Sequence, residues 1–295
     1  MKKNLVYKPI IALIFFIGMK ISAQQPYSVT LRVNYNTQAK LFHNEPVLFT
    51  VSITNKEAQE NERWNMAADR RLNELEELIA SNKISREDYD KEKKKLLDGK
   101  KPVSSVTIGS KEKPWPVLVI WRVMNTKNST KISLPLKALI NPVAEPEVVL
   151  GEQGYYIAYF GIDPEDLKKI PEGIYTITAS INGEASEAIQ LNIQKENMSD
   201  AQAGSEAMLL KLGQYFWHSN NSKKAMSYVD MLLQKKSNSI DGLSLKGDVQ
   251  VLDKSYLPAL ETYNKAVKEY YKQNPGVGEP PEYFLEMISW LKTQF

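Results

Sequence analysis

Two glycines 34 residues apart, Gly213 and Gly247, constrain this chain more than any other feature. Each stands inside a run with helical apolar spacing, where glycine costs about 1 kcal/mol relative to alanine. The cost recurs together with its surroundings. Ala225 and Ala259, Leu209 and Leu243, and Leu232 and Ala266 keep the same offset, and LLKLGQYFWHSNNSKKAMSYVDMLL aligns with LSLKGDVQVLDKSYLPALETYNKAV. One helix-turn-helix unit is therefore used twice, over 206–239 and 240–273. Glycine in the first helix and alanine in the second are expected where the two rods cross, because larger side chains would hold them apart. The whole of 198–295 reads as helical. It ends in a Pro/Gly linker and an amphipathic helix over 282–293, whose Phe284, Ile288 and Leu291 are spaced to cap the open end of the second unit.

A 34-residue period with Leu-x-x-x-Gly in one helix and Ala-x-x-x-aromatic in the next is similar to the tetratricopeptide repeat. The second unit carries the pattern fully, in Gly247, Asp248, Ala259, Tyr263 and Ala266, whereas Val229 and Leu232 replace the aromatic and small residues in the first. The resemblance implies that the first helix of each unit lines an inner face that holds a protein or peptide. It places Leu210, Gln214, Trp217 and His218 there from one unit, and Ser244, Asp248, Val251 and Leu252 from the other. Members that grip a terminal carboxylate use Lys, Asn and Arg at such positions, and this chain has none of them. An aromatic-lined groove for an extended peptide or partner helix is expected instead. Trp217 either anchors that partner or packs against the preceding domain.

Residues 24–197, apart from one segment, read as strands. YSVTLRVNY alternates Val29, Leu31 and Val33 with polar residues, and PVLFTVSIT continues with Val47, Phe49, Val51 and Ile53 on one face. WPVLVIWRV is a more continuous apolar run, expected as a central strand covered on both sides. GYYIAYF, GIYTITASI and EAIQLNIQ follow, punctuated by INPVAEPE, GEQG, IDPED and IPEG. Short strands with such turn signals predict a β-sandwich. In GYYIAYF, one of Tyr155 and Tyr156 must face outward. The Pro-Glu-Gly turn leading into Tyr175, with Trp121 in an inner strand, resembles the immunoglobulin-like sandwich, in which a tyrosine hydroxyl ties the strand start to upstream backbone.

Residues 56–101 differ in kind. Between Glu57 and Lys101 there are 11 basic and 12 acidic residues, a near-balance that suits a solvated surface. Ala68, Leu72, Leu75 and Ile79 form a narrow helical seam. Ser85 and Asp88 resemble a capping box opening a second helix over 86–97, which presents Tyr89, Leu96 and Leu97 and ends at Gly99. An inserted helical hairpin is predicted. LNELEELIASNKISREDYDKEKKKLL is similar to the SHOCT-type module, which implies self-association or docking through 57–101 and no chemistry.

The fold class expected overall is multidomain β plus α: an immunoglobulin-like β-sandwich with an inserted helical hairpin, then tetratricopeptide-like helices with a capping helix. The chain opens MKKNLVYKPIIALIFFIGMKISAQQ, a charged start, a short apolar run and small residues at Ser22 and Ala23. That pattern predicts a signal peptide over 1–23, cleaved after Ala23, and a periplasmic or secreted protein. Uncleaved, it would be the only membrane anchor. Four of the 38 basic residues (Lys2, Lys3, Lys8, Lys20) lie in the leader, against 35 acidic residues in the chain, so the mature protein is near neutral with no footprint for nucleic acid. With no cysteine there is neither disulfide nor thiolate metal site. His43 and His218 are the only histidines. No nucleophile elbow, phosphate loop or calcium loop accompanies them, so no catalytic residue, metal site or cofactor is expected. The function expected is that of a non-enzymatic exported adaptor for a protein or peptide. The alternative is a carbohydrate- or envelope-binding sandwich with the helices as a structural appendage.

Overall fold

The computed structural model of the chain describes residues 25–99, 102–139, 147–151, 155–276 and 278–295. The leader over 1–23 lies outside them. Among the described residues no helix is long and apolar enough to cross a membrane. Sheets fill the N-terminal half and helices the C-terminal part.

Period-two alternation builds the sheets. Strand β1 (Tyr27–Val33) is followed by β2 (Gln38–Phe42), β3 (Val47–Asn55), β4 (Val106–Gly109), β5 (Ile120–Asn125) and β6 (Lys131–Ile132). Strands β7 (Lys137–Leu139), β8 (Glu147–Leu150), β9 (Tyr155–Ile162), β10 (Gly173–Ile181), β11 (Glu184–Ala185) and β12 (Ile189–Gln194) complete the set. One sheet runs β1-β3-β9-β7 and another β2-β12-β10-β5-β6, with β11 turned back on β10 and β4 paired to β8 alone. Among the described residues the pairings are antiparallel except β2 with β12. The two larger sheets share one core, in which Val29, Leu31, Val51 and Ile53 meet Val123, Ile177, Leu191 and Ile193. Trp121 stands edge-on between Phe49 and Phe160, with ring centroids 5.7 and 5.1 Å away, the favoured geometry for aromatic neighbours. The Tyr175 hydroxyl donates to the Pro171 carbonyl at 2.8 Å. Of the tyrosine pair, Tyr155 is 67% exposed and Tyr156 packs on the core.

The run WPVLVIWRV departs from expectation. Trp115–Leu118 makes a 3-10 turn and only Ile120–Asn125 pairs as a strand. Pro116 has no N–H for a ladder, so the chain turns there before extending. Val117 and Ile120 are exposed, and β5 therefore buries one face rather than two.

Helix α1 (Lys56–Ala80) begins with no residue between it and β3. Asn55, wholly buried, makes that junction possible. Its Oδ1 accepts from the N–H groups of Glu57 and Ala58, and its Nδ2 donates to the carbonyls of Ser104 and Leu150. One side chain thus caps the helix and ties the outgoing and returning strands together. Helix α2 (Arg86–Leu97) is capped by Ser85, whose Oγ accepts from the Asp88 N–H at 3.1 Å. Only Leu75 of the α1 seam is buried, together with Tyr89 of α2, while Leu97 is 62% exposed. The contact expected of Leu97 is made by Trp64 instead. Its indole N–H donates to the Leu96 carbonyl, and its ring lies where a Cβ on Gly99 would stand 2.2 Å from it.

After α3 (Pro164–Leu167) and α4 (Asp200–Ala203), two helix pairs follow: α5 (Glu206–His218) with α6 (Ser222–Lys235), and α7 (Ile240–Leu252) with α8 (Tyr256–Gln273). The 34-residue offset reaches the backbone. Ser205 and Ser239 cap α5 and α7, and the turns inside the pairs place Asn220 and Lys254 at φ 58° and 57°. A Cβ on Gly247 would stand 2.7 Å from the Tyr263 ring. On Gly213 it would stand 3.4 Å from Val229 and 2.8 Å from Leu245. Each glycine thus faces the side chain sixteen positions on. Where Val229 is too short to fill the crossing, Leu245 reaches in from α7. Helix α9 (Glu282–Lys292) buries Phe284 and Leu291 against Ala259, Tyr263 and Ala266.

Candidate functional site

Helix α5 presents one stripe to the sheets, because Lys211, Tyr215 and His218 recur at i, i+4 and i+7. Lys211 pairs with Glu45 at 3.1 Å, and Glu45 also accepts from the Phe42 N–H. Burial pulls the Lys211 ammonium below its ordinary range, an effect that Glu45 opposes. The Tyr215 hydroxyl donates to Asp163 at 2.6 Å, and Asp163 is also paired with Lys137. Gly161 makes the approach possible, since a Cβ there would stand 2.8 Å from the Tyr215 ring. His218 is 1% exposed. Its ring stacks on Tyr159 at 3.6 Å, its Nε2 meets the Tyr35 hydroxyl at 3.2 Å, and its buried Nδ1 has no hydrogen-bond partner among the described residues. Burial without a countercharge pushes the imidazole down to about 3, so it is neutral at physiological pH.

Helix α7 carries Asp248, partly buried. Its Oδ1 accepts from the hydroxyls of both Tyr263, at 2.7 Å, and Tyr283 of α9. The two phenols also lie 3.2 Å apart. Desolvation raises the Asp248 carboxyl above its ordinary value, against the lowering effect of the two phenols. Asp248 is near enough to Tyr35 and Tyr159 for its charge to help raise both of those phenols, whose largest perturbation is burial. Two phenols, from α8 and α9, therefore hold the carboxylate directly, and those of Tyr35 and Tyr159 lie within reach of its charge. Tyr35 is held in an Asn34-Tyr35 turn with both residues at positive φ, 46° and 64°, a strained conformation for an aromatic residue.

The residues expected on the inner face divide between environments. Leu210 and Trp217 pack against Ala225, Val229, Leu245 and Val249, inside the helix pairs. Val251 likewise packs on the core of the second pair, and Leu252 is partly buried. His218 faces the sheets and is closed to solvent by Tyr159 and Tyr35, which removes it from any groove. Gln214, Ser244 and Asp248 are partly buried, and of these Asp248 is built into a hydrogen-bonded cluster. Tyr35, Tyr159 and Tyr283 escaped sequence reasoning. Tyr35 sits in the turn after β1 and Tyr159 in β9, both far from Asp248 along the chain, and Tyr283 lies beyond the repeat, so no period links them to Asp248. The one available signal was Asn-Tyr-Asn at a turn, a poor place for tyrosine unless its ring is used.

Among the described residues no three or more His, Cys, Asp or Glu side chains cluster as metal ligands. Comparison with protein-family models, with curated proteins and with solved structures finds no match to this chain.

Proposed function

We propose that this chain is a non-enzymatic, exported interaction protein that holds a protein or peptide partner along the inner face of α7 and α9. In this reading the helical part is a pair of tetratricopeptide-like repeats with a capping helix, and the sheets are an immunoglobulin-like sandwich serving as a rigid platform. The 34-residue repetition of caps, turns and glycine crossings supports the first assignment. The Tyr175–Pro171 tie and the single core shared by two sheets support the second. The observation that carries the binding reading is Asp248, a desolvated carboxylate bonded to Tyr283, which is 42% exposed, with Tyr35, 43% exposed, within reach of its charge. Half-exposed aromatic residues around a polar group are what an interface hot spot requires.

A photo-reactive residue at Ser244 is expected to crosslink a discrete envelope protein or peptide. The same residue at Lys265, exposed on α8, should not. Equal labelling at the two positions overturns the assignment of the face.

A further inference from the structure

We propose that Asp248 and its surrounding tyrosines form a receptor for a cationic side chain, lysine or arginine, contributed by the partner. The inference rests on the binding reading and specifies what the inner face recognises. Three observations lead to it.

First, Asp248 lacks a countercharge. The other acids at this junction have one: Glu45 is paired with Lys211 and Asp163 with Lys137. Asp248 has no ion pair among the described residues, and both of its protein hydrogen bonds fall on Oδ1. The neighbouring Lys246 is engaged with Asp230 on α6. His218, bonded to Tyr35, is neutral. A desolvated carboxylate without a cation is costly to keep, and an arriving ammonium or guanidinium group removes that cost.

Second, the walls are aromatic. The faces of tyrosine rings attract cations through their quadrupole, and the attraction grows when water is excluded. Tyr35 and Tyr283 are each partly open to solvent, and Tyr159 lies within reach of the Asp248 field. An acid among tyrosines suits a cation and disfavours an anion.

Third, the phenols organise the acid. Tyr263 and Tyr283 both donate to Oδ1, which leaves Oδ2 with no hydrogen bond among the described residues. One acceptor oxygen is thus held in place and available.

The test titrates the full chain with Nα-acetyl-lysine methylamide, its neutral norleucine counterpart and its glutamate counterpart, followed by calorimetry or NMR. The lysine compound is expected to bind at least about tenfold more tightly than either of the others. Asp248→Asn keeps an acceptor for the phenols and should lose that preference. Equal affinity for the lysine and norleucine compounds, or unchanged lysine binding by Asp248→Asn, overturns the proposal. A second arm needs no variant. Lysine stays charged on acidification, so wild-type binding should weaken as Asp248, whose carboxyl burial raises, takes up a proton, and binding that strengthens on acidification also overturns it. Crosslinking specific to Ser244 without lysine selectivity sinks the cation site and leaves the binding reading standing. Lysine selectivity with equal labelling at Ser244 and Lys265 does the reverse.

Discussion

Gly213 and Gly247 occupy matching places, yet the atoms facing them differ, and so should the cost of filling them. Alanine at either position gains about 1 kcal/mol of helix propensity. At Gly247 the new methyl meets the Tyr263 ring, which is wholly buried and anchored by its hydroxyl to Asp248. The ring has nowhere to turn, and overpacking of this kind costs roughly 1–3 kcal/mol. At Gly213 the nearest atom is the tip of Leu245, the far end of a flexible side chain that can give more readily than an anchored ring. Gly247→Ala should therefore lower stability by up to about 2 kcal/mol net, while Gly213→Ala stays within about 0.5 kcal/mol of the wild type. Urea unfolding of the two variants side by side gives the comparison, and equal effects would show that the crossings are packed alike.

The α5–sheet junction is where elements depend on one another, and its buried ionisable groups make that dependence measurable. The imidazole of His218 is depressed to about 3 in the fold but titrates near 6.5 when unfolded. The unfolded chain therefore binds more protons between those values. The stabilising effect of the neutral ring is complete above about pH 6.5 and is lost as pH falls, by up to about 1.4 kcal/mol per pH unit. Asp248, whose carboxyl is raised, acts in the opposite sense as pH rises through its own transition. The measurable quantity is the difference in urea midpoints between wild type and His218→Phe at pH 7 and pH 5, with the variant losing less on acidification. At the other end of the stripe, Lys211→Met strands Glu45, which is 1% exposed. The expected loss is about 3 kcal/mol, partly recovered by adding Glu45→Gln. Full additivity of the two substitutions would mean that the pair is not coupled.

At the scale of the whole molecule, the charged hairpin stands apart. Its two helices bury little beyond Asn61, Leu75 and Tyr89, and the chain leaves and returns through the Asn55 junction. Replacing 57–101 by a short flexible linker should leave most of the core intact, since the ends of the segment meet at Ser104 and Asn55. If the hairpin is the self-association surface that its SHOCT-like pattern implies, the deletion lowers the mass seen by light scattering. An unchanged mass assigns the hairpin to docking on another protein or to no contact.

Local periodicity made the elements legible. Alternation marked β1, β3 and β10, a serine cap marked α2, and a 34-residue offset marked four helices, because each depends on residues close in the chain. The same locality misled at WPVLVIWRV, where apolar content outweighed Pro116, and at Leu97, where Trp64 across the hairpin takes the contact. What the sequence determined by itself was the kind and order of elements and the places where helices cross. Tertiary structure alone decided that His218 turns to the sheets, that Trp217 packs inward, and that Asp248 meets Tyr283. Those outcomes depend on which faces lose water to each other, and no repeat or spacing connects His218 with Tyr35 or Asp248 with Tyr283.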